Sequence, residues 1–198
     1  MSDGRFKLLV VGVGGQGVLT IARFLGDAAT RAGVPVAVGQ LHGMSQRGGS
    51  VQATVALGDG ASAFIGQGEA DAVLGLEPLE VSRARPAMSA ETRVVMSLGR
   101  IVPHTLAQQG AGYPSLDDLR AGIRARTRDL VCVDGPALAE QAGNARALNT
   151  VMLGALVGLG TLPLRDDEVW AAVARRCASG THDFNRRAWQ LGREAVSA

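Results

Sequence analysis

The stretch from Leu8 to Val38 constrains this chain more than any other. Leu8 to Val11 is a continuous aliphatic run that stops at Gly12, the pattern of a strand covered on both faces in a mostly parallel sheet. After a glycine-rich turn, Val18, Ile21, Ala22, Leu25 and Ala28 recur at helical spacing, which predicts a helix over Val18 to Ala32 with Gly33 as its left-handed stop. Val34 to Val38 is a second short β-branched run. Together these form a strand, helix, strand unit of the usual length, about 30 residues. A chain that opens this way is expected to be α/β.

Further strands are expected at Ser50 to Leu57, Ala63 to Ile65, Ala72 to Leu76, Arg93 to Ser97 and Leu130 to Val133, the later ones separated by turn residues and short helices. In the first of these Val51, Ala53, Val55 and Leu57 alternate with more polar positions, and the hairpin-like step it implies predicts a mixed sheet. Val102 to Pro114 holds two prolines and two glycines, too many breakers for a helix or central strand, and reads as a loop. Ser115 with Asp118 resembles a capping box opening a helix to about Arg126. Helices are expected at Ala145 to Leu159, Asp166 to Ala178 and Asp183 to Val196. The resulting expectation is a three-layer α/β/α Rossmann-like domain with a mostly parallel, mixed central sheet. No internal repeat is visible, and 198 residues suit a single domain over 1–198.

Composition narrows the function classes. At 46% hydrophobic and 19% charged, the chain has material for a core and too little net charge for disorder. The net charge of +2 comes from dispersed arginines, and at 4% aromatic content the stacking rings of a single-strand binder are missing, so no nucleic-acid partner is expected. Cys132 and Cys177, the two cysteines, furnish neither a disulfide framework nor a four-thiolate site. No signal peptide is read at the start, and the most apolar stretch, Val151 to Leu159, is interrupted by Gly154 and Gly158. The expectation is a cytoplasmic protein with no membrane partner.

Two segments carry candidate chemistry. Gly12-Val13-Gly14-Gly15-Gln16-Gly17 fits G-x-G-x-x-G between a strand and a helix, where backbone N–H groups and the helix dipole favour an anion. The dinucleotide fingerprint also needs an acidic residue about 20 positions on, and Val36 to Gln40 contains none, which counts against NAD. The plainer alternative is a tight turn that lets the helix pack closely. The second segment, His42-Gly43-Met44-Ser45-Gln46-Arg47-Gly48-Gly49-Ser50, follows the second strand at the sheet edge where ligands bind, and gathers donors suited to a carboxylate, a phosphate or a partner loop. The competing reading is a solvated loop. A lone His42 is more often a hydrogen-bonding residue than a base or metal ligand.

With both motifs in view, the chain resembles the gamma-type domain family of pyruvate and other 2-oxoacid:ferredoxin oxidoreductases, and within it the small subunits of the indolepyruvate type. Gly12 to Gly17 is similar to the family's Gly-x-Gly-Gly-Gln-Gly loop, and His42 to Val51 matches its His-Gly-Met-Ser-Gln-Arg-Gly-Gly-Ser-Val segment without a gap. Gly68 to Asp71 leading to Glu77, Asn149 with Leu153 to Leu156, and Asn185 to Gly192 are similar to its remaining landmarks, so the resemblance covers nearly the whole chain. Gln40 departs from the pattern, since family members frequently carry an acid two positions before the histidine.

The resemblance implies oxidative decarboxylation of an arylpyruvate to an acyl-coenzyme A, with electrons passed to ferredoxin. It implies a large alpha subunit holding thiamine diphosphate and [4Fe-4S] clusters, with coenzyme A as co-substrate and no cofactor held by this chain alone. His42, Gln46 and Arg47 would complete the partner's site. Gly12, Gly14, Gly15, Gln16, Gly17, Ser45, Gly48, Gly49 and Ser50 would contact a cofactor or anion, and no metal ligand is expected. The alternatives are an independent Rossmann-type nucleotide-binding oxidoreductase and a noncatalytic scaffold subunit.

Overall fold

A computed structural model describes residues 4–42, 49–101, 112–178 and 180–196. In chain order the strands are β1 (Phe6–Val13), β2 (Val36–His42), β3 (Ser50–Leu57), β4 (Ala70–Gly75), β5 (Met88–Ser97) and β6 (Asp129–Val133). The helices are α1 (Val18–Arg31), α2 (Pro78–Arg83), α3 (Leu116–Arg124), α4 (Gly135–Gln141), α5 (Leu148–Gly158), α6 (Asp166–Arg176) and α7 (His182–Glu194).

The six strands form one sheet in the order β2-β3-β1-β4-β5-β6. β1, β4, β5 and β6 run parallel, and β3 is antiparallel to both β1 and β2. The opening strand, helix, strand unit is present, but β3 inserts between its two strands, which makes the sheet mixed. Strand order reverses between β1 and β4, because α1 carries the chain to one side of β1 while β4, β5 and β6 build out the other.

Alternation decides which residues go where. Leu8 and Val10 of β1, with Val51, Ala53, Val55 and Leu57 of β3, face a layer made from α1, α4, α5, α6 and α7. Leu9 and Val11 face the other way, onto Val81 of α2 and Ile123 of α3. The result is the expected α/β/α layering with one thick and one thin helical layer. The α1 stop is the one expected: Gly33 has φ +71, and the Val34 N–H reaches back to the Ala29 carbonyl at 2.9 Å. Ser115 caps α3, accepting from the Asp118 N–H at 3.1 Å.

Four expectations are corrected. The second strand is Val36–His42 instead of Val34 to Val38, so His42 ends a strand and does not lie in the loop beyond it. Ala63 to Ile65 is not a strand: Thr54 Oγ1 donates to the Ala63 carbonyl at 2.7 Å, and Gly39 leaves the room in which Ala63 lies across the face of β2 and β3. β5 begins at Met88, earlier than Arg93, and Ala145–Ala147 is a single 3₁₀ turn ahead of α5. Short helix α2 lies between β4 and β5, where turn residues and short helices were expected, while α4 follows β6, where no helix had been placed. Of the expected loop Val102 to Pro114, residues 102–111 lie outside the described residues. Among the described residues no helix is long and apolar enough to cross a membrane.

Candidate functional site

β1 runs out at Val13, and the backbone turns through Gly14 to Gly17 into α1. Gly15 and Gly17 have φ of +104 and +90, a region that side chains with a Cβ disfavour. At Gly17 the neighbourhood crowds one as well, since a Cβ there would lie 2.9 Å from Asn149 Nδ2, which would have to shift. Gly17 stands at the N-cap of α1 with no side-chain cap, and the first helical bond is Ile21 N–H to the Gly17 carbonyl at 3.0 Å. The N–H groups of Val18, Leu19 and Thr20 therefore have no acceptor within the helix, at its positive dipole end. They border a cleft of about 430 Å³ lined by Gly14, Gly15, Gly17, Val18, Gln40 and Val51, among others.

The motif divides into two kinds of residue. Gly14, Gly15 and Gly17 line the cleft, whereas Gly12 is buried and a Cβ on it would meet Gln16 Oε1 at 2.9 Å and Leu76 Cβ at 3.1 Å. The Gln16 side chain is turned onto the chain's own backbone. Its Oε1 accepts from the Val13 N–H at 2.7 Å and its Nε2 donates to the Leu76 carbonyl at 2.9 Å. Those atoms close the ends of β1 and β4, the point of strand reversal where doubly wound folds commonly take a nucleotide. Gln16 thus braces the loop, and Gly14, Gly15 and Gly17 present it.

The second motif meets the first. The β-ladder sets His42 opposite Val51, and Val51 opposite Gly12. The His42 backbone therefore stands two strand spacings, roughly 10 Å, from the start of the glycine loop. At the other end of the segment, the Gly49 carbonyl accepts from the Gly14 N–H at 2.9 Å, and Ser50 Oγ donates to Glu80 Oε2 at 2.5 Å. Ser45, Gln46, Arg47 and Gly48 lie outside the described residues. Both flanks of the polar segment nevertheless arrive at the same sheet edge as the glycine loop.

Sequence reasoning missed a cluster beside them. Glu77 and Glu80 are both 0% exposed. Glu77 caps α2 by accepting from the Glu80 N–H at 3.0 Å, and its other oxygen accepts from the Tyr113 hydroxyl. The guanidinium of Arg100 sits over the Tyr113 ring, 5.8 Å from its centroid. Glu80 takes Ser50 on one oxygen and Arg83 Nη1, at 2.6 Å, on the other. Burial pushes the Glu77 carboxyl above the usual carboxylate range, and the nearby charge of Glu80 adds to this; hydrogen bonds from Tyr113 and the Glu80 N–H oppose the rise without cancelling it. Burial, and then the bond to Glu77, pushes the Tyr113 phenol upward. In sequence Glu77 stood out as a landmark of the resemblance without a role, and Glu77-Pro78 with an acid three positions on also describes any exposed helix start. Among the described residues no group of three or more His, Cys, Asp and Glu is placed to hold a metal ion.

Comparison with known proteins places these features in a family. The pyruvate ferredoxin/flavodoxin oxidoreductase family matches residues 7–195. The indolepyruvate oxidoreductase subunit IorB of Archaeoglobus fulgidus is 36% identical over 194 residues, covering 98% of this chain and 96% of that protein. Among solved structures, the gamma subunit of a keto/oxoacid ferredoxin oxidoreductase from Geobacter sulfurreducens superposes with a TM-score of 0.72 at 21% identity, covering 97% of this chain and 98% of that one. The 2-oxoglutarate:ferredoxin oxidoreductase from Magnetococcus marinus, solved with 2-oxoglutarate, coenzyme A and succinyl-CoA, gives 0.73 at 17% identity, with 99% of this chain matching 32% of its length. At those identities the two structures speak to the fold alone.

Proposed function

Since this chain belongs to the pyruvate ferredoxin/flavodoxin oxidoreductase family, we propose that it is the small subunit of an indolepyruvate-type, arylpyruvate-using ferredoxin oxidoreductase. The proposed reaction takes an arylpyruvate and coenzyme A to an aryl-acyl-coenzyme A and carbon dioxide, and passes the released electrons to ferredoxin. The observation that carries the reading is the full-length likeness to the small subunits, combined with a polar segment whose Gly49 end bonds the glycine loop and whose His42 end stands two strands away at the same end of the sheet.

In this proposal the chain works as one gamma-type domain in the cytoplasm, bound to a larger subunit. Thiamine diphosphate in that subunit would supply the carbanion chemistry of decarboxylation, and its iron–sulfur clusters would serve as electron acceptors. Two cysteines cannot supply the four thiolates of a cluster, so the chain's part is binding and positioning. The cleft does fit an anionic group such as a phosphate: glycine backbone lines it, and the N–H groups of Val18, Leu19 and Thr20 have no helical acceptor there. Arg47 and Gln46 are assigned anion or interface contacts, His42 a hydrogen bond within the assembled site, and Ser45, Gly48, Gly49 and Ser50 the backbone and hydroxyl surface between them.

An independent nucleotide-binding oxidoreductase is the weaker reading. The Gln16 amide spans the strand-reversal crevice, and Gln40 supplies no carboxylate for a ribose hydroxyl. The deciding assay is reduction of a viologen dye by indolepyruvate and coenzyme A under anaerobic conditions, using the chain reconstituted with its larger partner. Turnover that needs both polypeptides supports the proposal; turnover by either one alone overturns it. A scaffold role would instead leave the turnover of assembled complexes unchanged when His42, Gln46 or Arg47 is substituted.

A further inference from the structure

Helix α2 is six residues long, yet its cap and its first turn place two carboxylates, Glu77 and Glu80, completely out of solvent. Acids in a first turn favour the helix dipole, but an exposed acid does that with little desolvation cost, while a buried carboxylate is strongly unfavourable unless it is well paired. Buried pairs of this kind are a poor source of net stability compared with apolar packing, so the bonds they make are more informative than the charge they carry. Each carboxylate here is committed to a different, remote piece of chain. Glu80 holds Ser50, 30 positions earlier, with Arg83 completing its charge, and Glu77 holds Tyr113, 36 positions later. The Ser50 bond is made one residue from the Gly49 carbonyl that receives the Gly14 N–H of the cleft-lining loop.

We propose that Glu80 is a positioning residue for the site: its carboxylate fixes Ser50, and thereby sets where Gly49 meets Gly14 and how the glycine loop is presented, while Glu77 holds Tyr113 alongside. Glu80 touches no reacting atom in this scheme; it acts through Ser50. The geometric part concerns the chain by itself, and the catalytic consequence rests on the function proposed above.

Two measurements separate those parts. In the isolated full-length chain, amide hydrogen exchange at Gly14 reports the bond to Gly49. Glu80→Ala should speed that exchange about tenfold or more while leaving the Ala84 amide, which donates to the Glu80 main-chain carbonyl, and the β4 amides near their original rates. In the assembled enzyme, Glu80→Ala and Ser50→Ala should each lower kcat about tenfold, with KM for the oxoacid within about twofold, and the double variant should be no worse than either single one. Glu80→Gln keeps an acceptor for the Ser50 hydroxyl and should restore most of the loss. Unchanged Gly14 exchange in Glu80→Ala overturns the clamp whatever the enzyme does. Faster exchange with unaltered kcat, or additive losses in the double variant, overturns its catalytic role. A wild-type complex with no turnover strikes the proposed function instead, and the exchange experiment still decides the clamp.

Discussion

Removing the Gln16 amide tests the division of the glycine loop into residues that build the site and residues that present it. In Gln16→Ala the Val13 N–H and the Leu76 carbonyl both lose their side-chain partner. Val13 is 1% and Leu76 0% exposed, so the two groups are poorly placed to recruit solvent. An unsatisfied buried polar group costs about 1–3 kcal/mol, and the half-buried loop leaves water a partial route in, so the combined loss is expected in the range of about 2–4 kcal/mol. With a urea m-value of about 2–3 kcal/mol/M for a chain of this size, the unfolding midpoint followed by circular dichroism should fall by about 1 M. A loss below about 0.5 kcal/mol in Gln16→Ala, the scatter of ordinary surface changes, would refute the brace and return Gln16 to the role of a ligand contact.

Three other outcomes are expected. Arg47→Ala should lower the turnover of the assembled enzyme about tenfold or more while moving the thermal midpoint by no more than a degree or so, and normal steady-state kinetics would remove Arg47 from the site. Burial holds the Glu77 carboxyl above its unfolded value, near 4.5, so ionising it costs more in the folded chain than in the unfolded one. Its contribution is therefore intact below that value and is lost as pH rises through the folded one. Glu77→Gln removes that loss, so its stability relative to the wild type should climb from acid toward neutral pH in urea titrations; parallel curves would contradict the account. Gly192→Ala would drive a Cβ to 1.9 Å from the Val151 carbonyl, forcing α5 and α7 apart, and should cost about 3 kcal/mol and roughly 10 °C in thermal midpoint. An unchanged midpoint would mean that the two helices separate freely.

Local patterns made the strand, loop and helix from Phe6 to Arg31 and the alternating β3 legible, because a continuous apolar run, a 3.6-residue period and a two-residue period are distinct within a few turns of chain. Strand order was not legible. β3 enters between β1 and β2 through pairings that no local pattern records. Ala63 to Ile65 misled because three apolar residues in a row look alike whether they join a ladder or cross a face, and the deciding contacts come from Thr54 and Gly39. Helices α2 and α4, at six and seven residues, are too short to show a helical period. The glycine loop was recognised as a motif, but the notation treats Gln16 as a free position, whereas its amide ties two strands together. Glu80 reads in sequence as a surface acid, and only the fold reveals that Ser50 and Arg83 enclose it.

The central claim is that this chain completes a site whose reactive cofactors sit in another polypeptide. Native mass spectrometry of the chain, affinity-purified anaerobically from its own cells, tests that most directly. The account predicts a complex whose second component is a larger polypeptide carrying thiamine diphosphate and iron–sulfur clusters. Isolation of the chain by itself, catalysing oxoacid-dependent dye reduction unaided, would contradict it.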